Sequence, residues 1–374
     1  MEELKLLSAV YLLFVVLIAA EQAWSKWRAD GGYRWAQFVT NIGHGMIFQA
    51  SEVFTKALTL LPFLWLAEHA ALAELPVNAW WAWLVGLLAY DFLSYWRHRH
   101  HHEIAALWAI HGVHHAAEDY NFAAALRQAL FGNVLGWLWM VPLALFMPIE
   151  MYVGLIVFDY VYQFVQHTRY VPKLGLYGLV FNTPSHHRVH HGVNEHYLDR
   201  NYGGILISWD RLFGTFQAEL DEPVYGLTKP IGTMDPLWGN LVLFADLFAA
   251  ARRTTSWRDA VTLFLSGPGA EDHLAPGGPV RARDAGRDAD LSLAVLVGAL
   301  TLFFANGLVL VALIWTPADM LATRIGLALL TVLGAIAPAT ILARASRSRV
   351  RSWRQPRPGP SAAAMGELSI PREC

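Results

Sequence analysis

The chain has 374 residues, a formal net charge of −2, 55% hydrophobic residues and only 16% charged ones, where a soluble domain usually carries about 25% charged residues. That balance points to a membrane and excludes nucleic acid or an acidic polymer as partner. The one cysteine is Cys374, which excludes a disulfide framework, a cysteine–zinc site and an iron–sulfur cluster on this chain, so any metal must be held by His, Asp or Glu.

In chain order, apolar stretches at 4–20, 42–66, 79–96, 130–146, 152–165, 291–315 and 325–342 are candidate spans. The first follows Met-Glu-Glu; its acidic start argues for a retained helix rather than a cleaved signal. The fourth and fifth, divided only by Met147-Pro148-Ile149-Glu150, predict a tight helical hairpin. A full span needs about 20 residues, so the shorter stretches are expected to tilt or re-enter.

Basic residues assign sides. Lys26, Arg28 and Arg34 follow the first stretch, and Arg97, Arg99 and Arg127 follow the third. The segment 168–290 and the tail are arginine-rich, whereas the links 67–78, 147–151 and 317–320 hold no Lys or Arg. The positive-inside rule then puts every basic segment in the cytoplasm, alternating along all seven candidates.

Histidine is concentrated on that side. His98 and His102 are four apart on one helical face; His111, His114 and His115 repeat i, i+3, i+4. His167 ends the fifth stretch. Downstream, Thr183 is expected to cap a helix with Pro184 in its first turn, and His187, His190 and His191 repeat the i, i+3, i+4 spacing. These nine exceed one tetrahedral zinc and fit two metal ions with open positions. All-imidazole ligation suits Fe, Zn, Cu or Ni. No Glu has a His three residues later, so the soluble Glu-x-x-His di-iron bundles are excluded. His44, His69 and His273 stand alone and are expected at the surface or interface; His100, His101 and His196 lie off the phased faces, and His186 is intermediate.

The motifs His98-Arg-His-His-His102, His111-Gly-Val-His-His115 and His187-Arg-Val-His-His191, with Asp91 and Tyr95-Trp96 before the first, resemble the fatty acid hydroxylase/sterol desaturase superfamily over roughly 80–216. The stretches EPVYGLTKPIGTMDPLW at 222–238 and LFLSGPG at 263–269 resemble its alkylglycerol monooxygenase branch more closely. The resemblance implies two irons held by His98, His102, His111, His114, His115, His167, His187, His190 and His191. Gln163 stands four residues before His167, where some relatives place another histidine, leaving nine or ten ligands. Asp91, Asn121, Arg127 and Asp210 are implied as residues supporting the site or the fold around it.

The expected fold is all-α: a polytopic transmembrane bundle with a cytoplasmic histidine-rich di-metal cap. Residues 1–40 are expected as a first helix and basic loop, and 41–266 as the hydroxylase-like domain. A linker at 267–290, a helix pair at 291–343 and a disordered basic tail at 344–374 follow. The activity implied is O₂-dependent hydroxylation of an sp³ carbon of a membrane lipid, with ether-lipid cleavage to fatty aldehyde and a glycerol derivative for the closer branch. No flavin or dinucleotide motif appears, so electrons must come from outside, from a reduced pterin such as tetrahydrobiopterin or from a redox protein. The competing readings are a sterol desaturase or a fatty acid or carotenoid hydroxylase with a protein donor and, outside enzymes, a zinc-binding membrane transporter or sensor.

Overall fold

The computed structural model describes residues 2–279, 281 and 291–350. Among these no strand forms; one isolated bridge joins Phe181 to Leu206. The principal helices are α1 (Glu2–Arg28), α2 (Trp35–Ala70), α3 (Trp80–Glu103), α4 (Ala105–His115), α5 (Ile149–Gln166), α6 (Pro184–His190), α7 (Pro236–Ala251), α8 (Trp257–Leu265), α9 (Leu293–Trp315) and α10 (Leu321–Val350). Four of them, α1, α2, α9 and α10, are long and apolar enough to cross a membrane. The all-helical, membrane-embedded architecture expected from composition is therefore present.

Of the expected helical hairpin, the second arm forms as α5 but the first, 130–146, is not a continuous helix. The segment is a run of turns followed by a helical turn at Trp137–Met140 and a 3₁₀ stretch at Val141–Leu145. Gly132 and Gly136 weaken helix at its start, and Pro142 cannot donate a backbone hydrogen bond. It still runs from the histidine end of α3, where Trp139 Nε1 donates to His100 Nδ1 (2.9 Å), to the α2–α3 link, where Leu72 N donates to Leu145 O (2.8 Å). The tail expected from 344 begins as helix, because α10 runs to Val350; residues 351–374 lie outside the described residues, as do 280 and 282–290 of the expected linker. The linker's first part is ordered by packing: Glu271–Leu274 is a helical turn, and Ala275 is buried against Leu247, Ala250 and Leu263.

Two apolar cores flank the site. One joins α1, α2, α9 and α10 through Phe14, Phe38, Phe303 and Leu342; the other joins α2, α3 and α5 through Phe63, Tyr90, Met151 and Tyr152. Close approach of α9 to α10 depends on Gly334, where a Cβ would overlap the Asn306 side chain. Asn306 Nδ2 donates to Thr331 O (3.0 Å), the kind of interhelical polar contact that fixes helix pairs in lipid.

Candidate metal centre

The nine phased histidines converge into two neighbouring groups. His98, His102, His111, His115 and His190 form one; His114, His167, His187 and His191 form the other; within each group the ring nitrogens lie within 4.8 Å of one another. Helix geometry explains the division. Residues four apart project almost together, and residues three apart diverge slightly. Thus 98/102 on α3, 111/115 on α4 and 187/191 on α6 each stay in one group, while His114 and His190 cross to the other. His167 enters from the C-terminal cap of α5.

Backbone carbonyls set the tautomers. A carbonyl only accepts, so each ring nitrogen facing one carries the proton. His98 Nδ1 donates to Tyr202 O (2.8 Å), His114 to Arg127 O (3.0 Å), His167 to Gln163 O (2.8 Å) and His190 to Arg200 O (3.0 Å). Their Nε2 atoms therefore present lone pairs to the interior. Burial, with the Arg127 carbonyl hydrogen bond opposing it, pushes His114 down to about 4; burial pushes His190 to about 3. Burial first, then neighbouring imidazoles, push His102, His111, His115, His187 and His191 well below the ordinary value.

These neutral rings face one another. His114 Nε2 and His167 Nε2 stand 3.1 Å apart although both protons are committed to carbonyls. His167 Nε2 is also 3.2 Å from His187 Nε2, and His98 Nε2 is 2.9 Å from His111 Nε2. At His114 and His167 two lone pairs at that distance repel unless a cation lies between them. Two imidazole nitrogens each about 2.1 Å from one metal ion and at right angles stand about 3 Å apart. In addition, the buried Nε2 atoms of His102, His190 and His191 have no hydrogen-bond partner, which is costly unless something binds there. The donor set fits two metal ions.

The other sequence candidates surround these groups without joining them. Asp91, wholly buried, accepts from Ile205 N (2.9 Å), Leu206 N (2.9 Å) and Trp209 Nε1 (3.0 Å). Asp210 accepts from Tyr202 N (2.7 Å), Gly203 N (2.7 Å) and Thr215 Oγ1 (2.6 Å). Together they clamp the ribbon whose Tyr202 carbonyl holds His98. Arg127 donates to Val113 O (2.6 Å) and Asn41 Oδ1 (3.1 Å) while its own carbonyl holds His114. Asn121 caps the helical turn Phe122–Ala125 and donates to Gly32 O (2.8 Å). Gln163 Nε2 donates to Asp159 Oδ1 (2.8 Å), and His186 Nδ1 lies 3.2 Å from Thr183 Oγ1; neither is in a group. Thr183 occupies the cap position of α6 without a side-chain cap bond.

His44 departs from expectation. It is fully buried, donating from Nδ1 to Thr40 O (2.8 Å) and lying against Gly239, whose missing side chain lets α7 close on α2. His69 and His273 are exposed. His196 is exposed beside Asp221, and His100 and His101 pack around Trp139, outside both groups.

Sequence reasoning missed the carbonyl acceptors and the turn that aims them. Asp199 and Asn201 have φ of 57° and 58°, a left-handed conformation that Asp and Asn tolerate better than most residues. They flank Arg200, whose carbonyl meets His190, and precede Tyr202. Asp199 Oδ1 also lies 3.7 Å from His102 Nδ1. The Asp-Arg-Asn run at 199–201 was the available signal. Tyr120 was missed too; its ring stacks on His167 at 5.6 Å.

Residues 83–215, which hold all nine histidines, match the family model described as fatty acid hydroxylase. This stretch is thus similar to the fatty acid hydroxylase family, and the four long apolar helices support an integral membrane protein. The chain's homologues include alkylglycerol monooxygenases. It is 40% identical over 246 residues to that of Homo sapiens, covering 64% of this chain and 53% of the relative. To that of Xenopus tropicalis it is 34% identical over 275 residues, covering 73% and 60%. An ornithine lipid hydroxylase of Rhizobium tropici is 26% identical over 231 residues, covering 56% of this chain and 64% of the relative. The chain spans about half the length of the Homo sapiens and Danio rerio relatives. No solved structure matches it.

Proposed function

We propose that the chain is a membrane-bound di-iron monooxygenase that hydroxylates an sp³ carbon of a lipid with O₂, and that its substrate is an ether lipid of the alkylglycerol class. Hydroxylation of the carbon bearing the ether oxygen gives a hemiacetal, which collapses to a fatty aldehyde and a glycerol derivative. One oxygen atom enters the substrate; the other leaves as water with two electrons and two protons from an external reductant. A reduced pterin is the donor proposed, as the resemblance to the alkylglycerol monooxygenase branch implies. The histidine cap is proposed to face the cytoplasm.

The observation that carries the reading is the pair His114 and His167, two neutral imidazoles with lone pairs 3.1 Å apart. His98, His102, His111, His115 and His190 would hold one iron, and His114, His167, His187 and His191 the other. Bound iron supplies the O₂ chemistry; the protein's part is positioning and exclusion of water. Arg127, Gln163, Arg200 and Tyr202 fix ring orientation through their carbonyls, and Asp91 and Asp210 are proposed to hold the ribbon in place. Such outer partners raise ligand basicity and are commonly worth about 10–100-fold in metal affinity.

The test is fatty aldehyde release from an alkylglycerol by iron-loaded membranes supplied with O₂ and a tetrahydropterin, with His114→Ala as control. Aldehyde from the parent chain alone is the expected result. No aldehyde from a preparation holding two irons per chain would remove the ether-lipid assignment; turnover retained by His114→Ala, which leaves three imidazoles in its group, would remove the metal assignment.

A further inference from the structure

The LFLSGPG stretch ends a helix that the proposed chemistry does not use. Helix α8 begins at Ser256, whose hydroxyl accepts from Asp259 N (3.1 Å), and its C-terminal cap is tied to α4, Ala105 N donating to Ser266 O (2.8 Å). At about 3.6 residues per turn, its surface divides into three sectors. Leu263 is fully buried and faces α4 and α7 with Ala250 and Leu247. Arg258 and Thr262 mark a polar sector. Between them lies an apolar sector at i, i+4, i+8 that the protein leaves uncovered: Trp257, Val261 and Leu265 are 72%, 47% and 66% exposed. A helix that faces water on this side places polar residues there.

The surroundings indicate what covers it. Arg252, Arg253 and Arg258 are exposed beside the apolar sector, and the Arg258 guanidinium lies 5.6 Å from the Trp257 ring centroid. The apolar surface continues onto α7, where Phe248, 53% exposed, packs edge-on against Phe264. Helix α7 in turn packs on α2 and α10, both long enough to span the bilayer. The uncovered face is thus continuous with the membrane-embedded body and rimmed by cations. An amphipathic helix of this composition lies in the bilayer interface, and nearby cations favour anionic headgroups.

We propose that α8 is an interfacial helix whose Trp257, Val261 and Leu265 enter the bilayer while Arg252, Arg253 and Arg258 engage anionic lipid. Its bond to Ala105 then ties the histidine-bearing α4 directly to the membrane surface. This inference is independent of the reaction proposed above.

The test uses the full chain in lipid nanodiscs, with Cys374→Ser and a single bimane-labelled cysteine at Val261, Leu265 or, as the polar-face control, Thr262. All three positions are exposed, so labelling leaves the core intact. Labels at 261 and 265 are expected at a depth of about 5–10 Å: quenched by acyl-chain bromine and shielded from aqueous iodide, with the reverse at 262. Replacing phosphatidylserine by phosphatidylcholine, or Arg252, Arg253 and Arg258 by Gln, should reduce the bromine quenching. Iodide access at 261 and 265 equal to that at 262 overturns the proposal. Shielding from both quenchers overturns it in favour of a protein partner or a second copy. Bromine quenching indifferent to lipid charge overturns the anionic-lipid assignment.

Discussion

Each imidazole group is assembled from i, i+4 pairs, but in unequal number. The five-membered group has two pairs, 98/102 and 111/115, completed by His190 crossing from α6. The four-membered group has one pair, 187/191, completed by His114 crossing from α4 and by His167. Gln163 stands four residues before His167, where a second pair of that group would begin, and its side chain is turned onto Asp159 instead. Two helices, α4 and α6, thus serve both groups, whereas α3 serves only the first and His167 only the second. The asymmetry predicts unequal tolerance of damage.

The largest expected effect comes from removing one ligand on either side. His167→Ala leaves three imidazoles in its group, while His102→Ala leaves four, the number that satisfies a tetrahedral ion. Elemental analysis after identical purification should find one metal per chain lost in His167→Ala and both retained, though more readily chelated, in His102→Ala. Equal loss from both variants would break the comparison.

Arg127 separates the groups by another route. Its side chain bonds Val113 O and Asn41 Oδ1 in a buried site, and its carbonyl orients His114, a member of the four-membered group. Arg127→Met leaves the Val113 carbonyl and the Asn41 amide oxygen without this donor, at about 1–3 kcal/mol for each buried group. Metal affinity should fall about 10–100-fold in the four-membered group alone. Chelator titration showing both metals released together would refute that selectivity.

Asp210 tests the other side. Asp210→Asn places an amide NH₂ where one carboxylate oxygen accepted, among the donors Tyr202 N, Gly203 N and Thr215 Oγ1. The ribbon that orients His98 should loosen by about 1–3 kcal/mol, seen as faster amide exchange at 202–206. Weakened metal binding should be confined to the five-membered group. Unchanged exchange would show that Asp91 suffices to hold the ribbon.

How much of this was legible follows from range. The phase of each histidine cluster is local, so HxxxH and HxxHH could be read directly, and all nine residues converge as phased. Phase within each helix sets which histidines stay together, but which pairs join into one group depends on how α3, α4 and α6 face each other, which no single-helix pattern encodes. The carbonyls of Arg127, Arg200 and Tyr202 are invisible to side-chain reasoning because any residue offers one. The 130–146 stretch misled for a related reason: its apolarity reports burial or lipid contact, while Gly132, Gly136 and Pro142 decide its backbone. His44 looked isolated only because its neighbour, Gly239, is far away in sequence.

The smallest effect concerns Arg188, which sits among the histidines of α6 and ties them to the loop after α5. Its guanidinium makes two bonds of 2.7 Å to Glu219 and donates to Thr168 O (3.0 Å) and Val171 O (2.9 Å). It therefore braces His187 and His191 against His167, all in the four-membered group. Burial pushes the Glu219 carboxyl up, but the Arg188 hydrogen bonds and charge outweigh it, so its pKa lies below the ordinary 4.5. A depressed carboxylate contributes stability that is fully present above its unfolded pKa and is lost as pH falls through the folded one. Glu219→Gln keeps the shape but loses the charge, and should cost about 1 kcal/mol at pH 7, read as a lower Tm of the metal-free chain. Below 4.5 the gap between parent and variant should narrow, because protonation brings the parent's Glu219 to the same neutral state. A gap that stays constant across that range would assign the effect to packing, leaving Arg188 to brace the group through its carbonyl bonds alone.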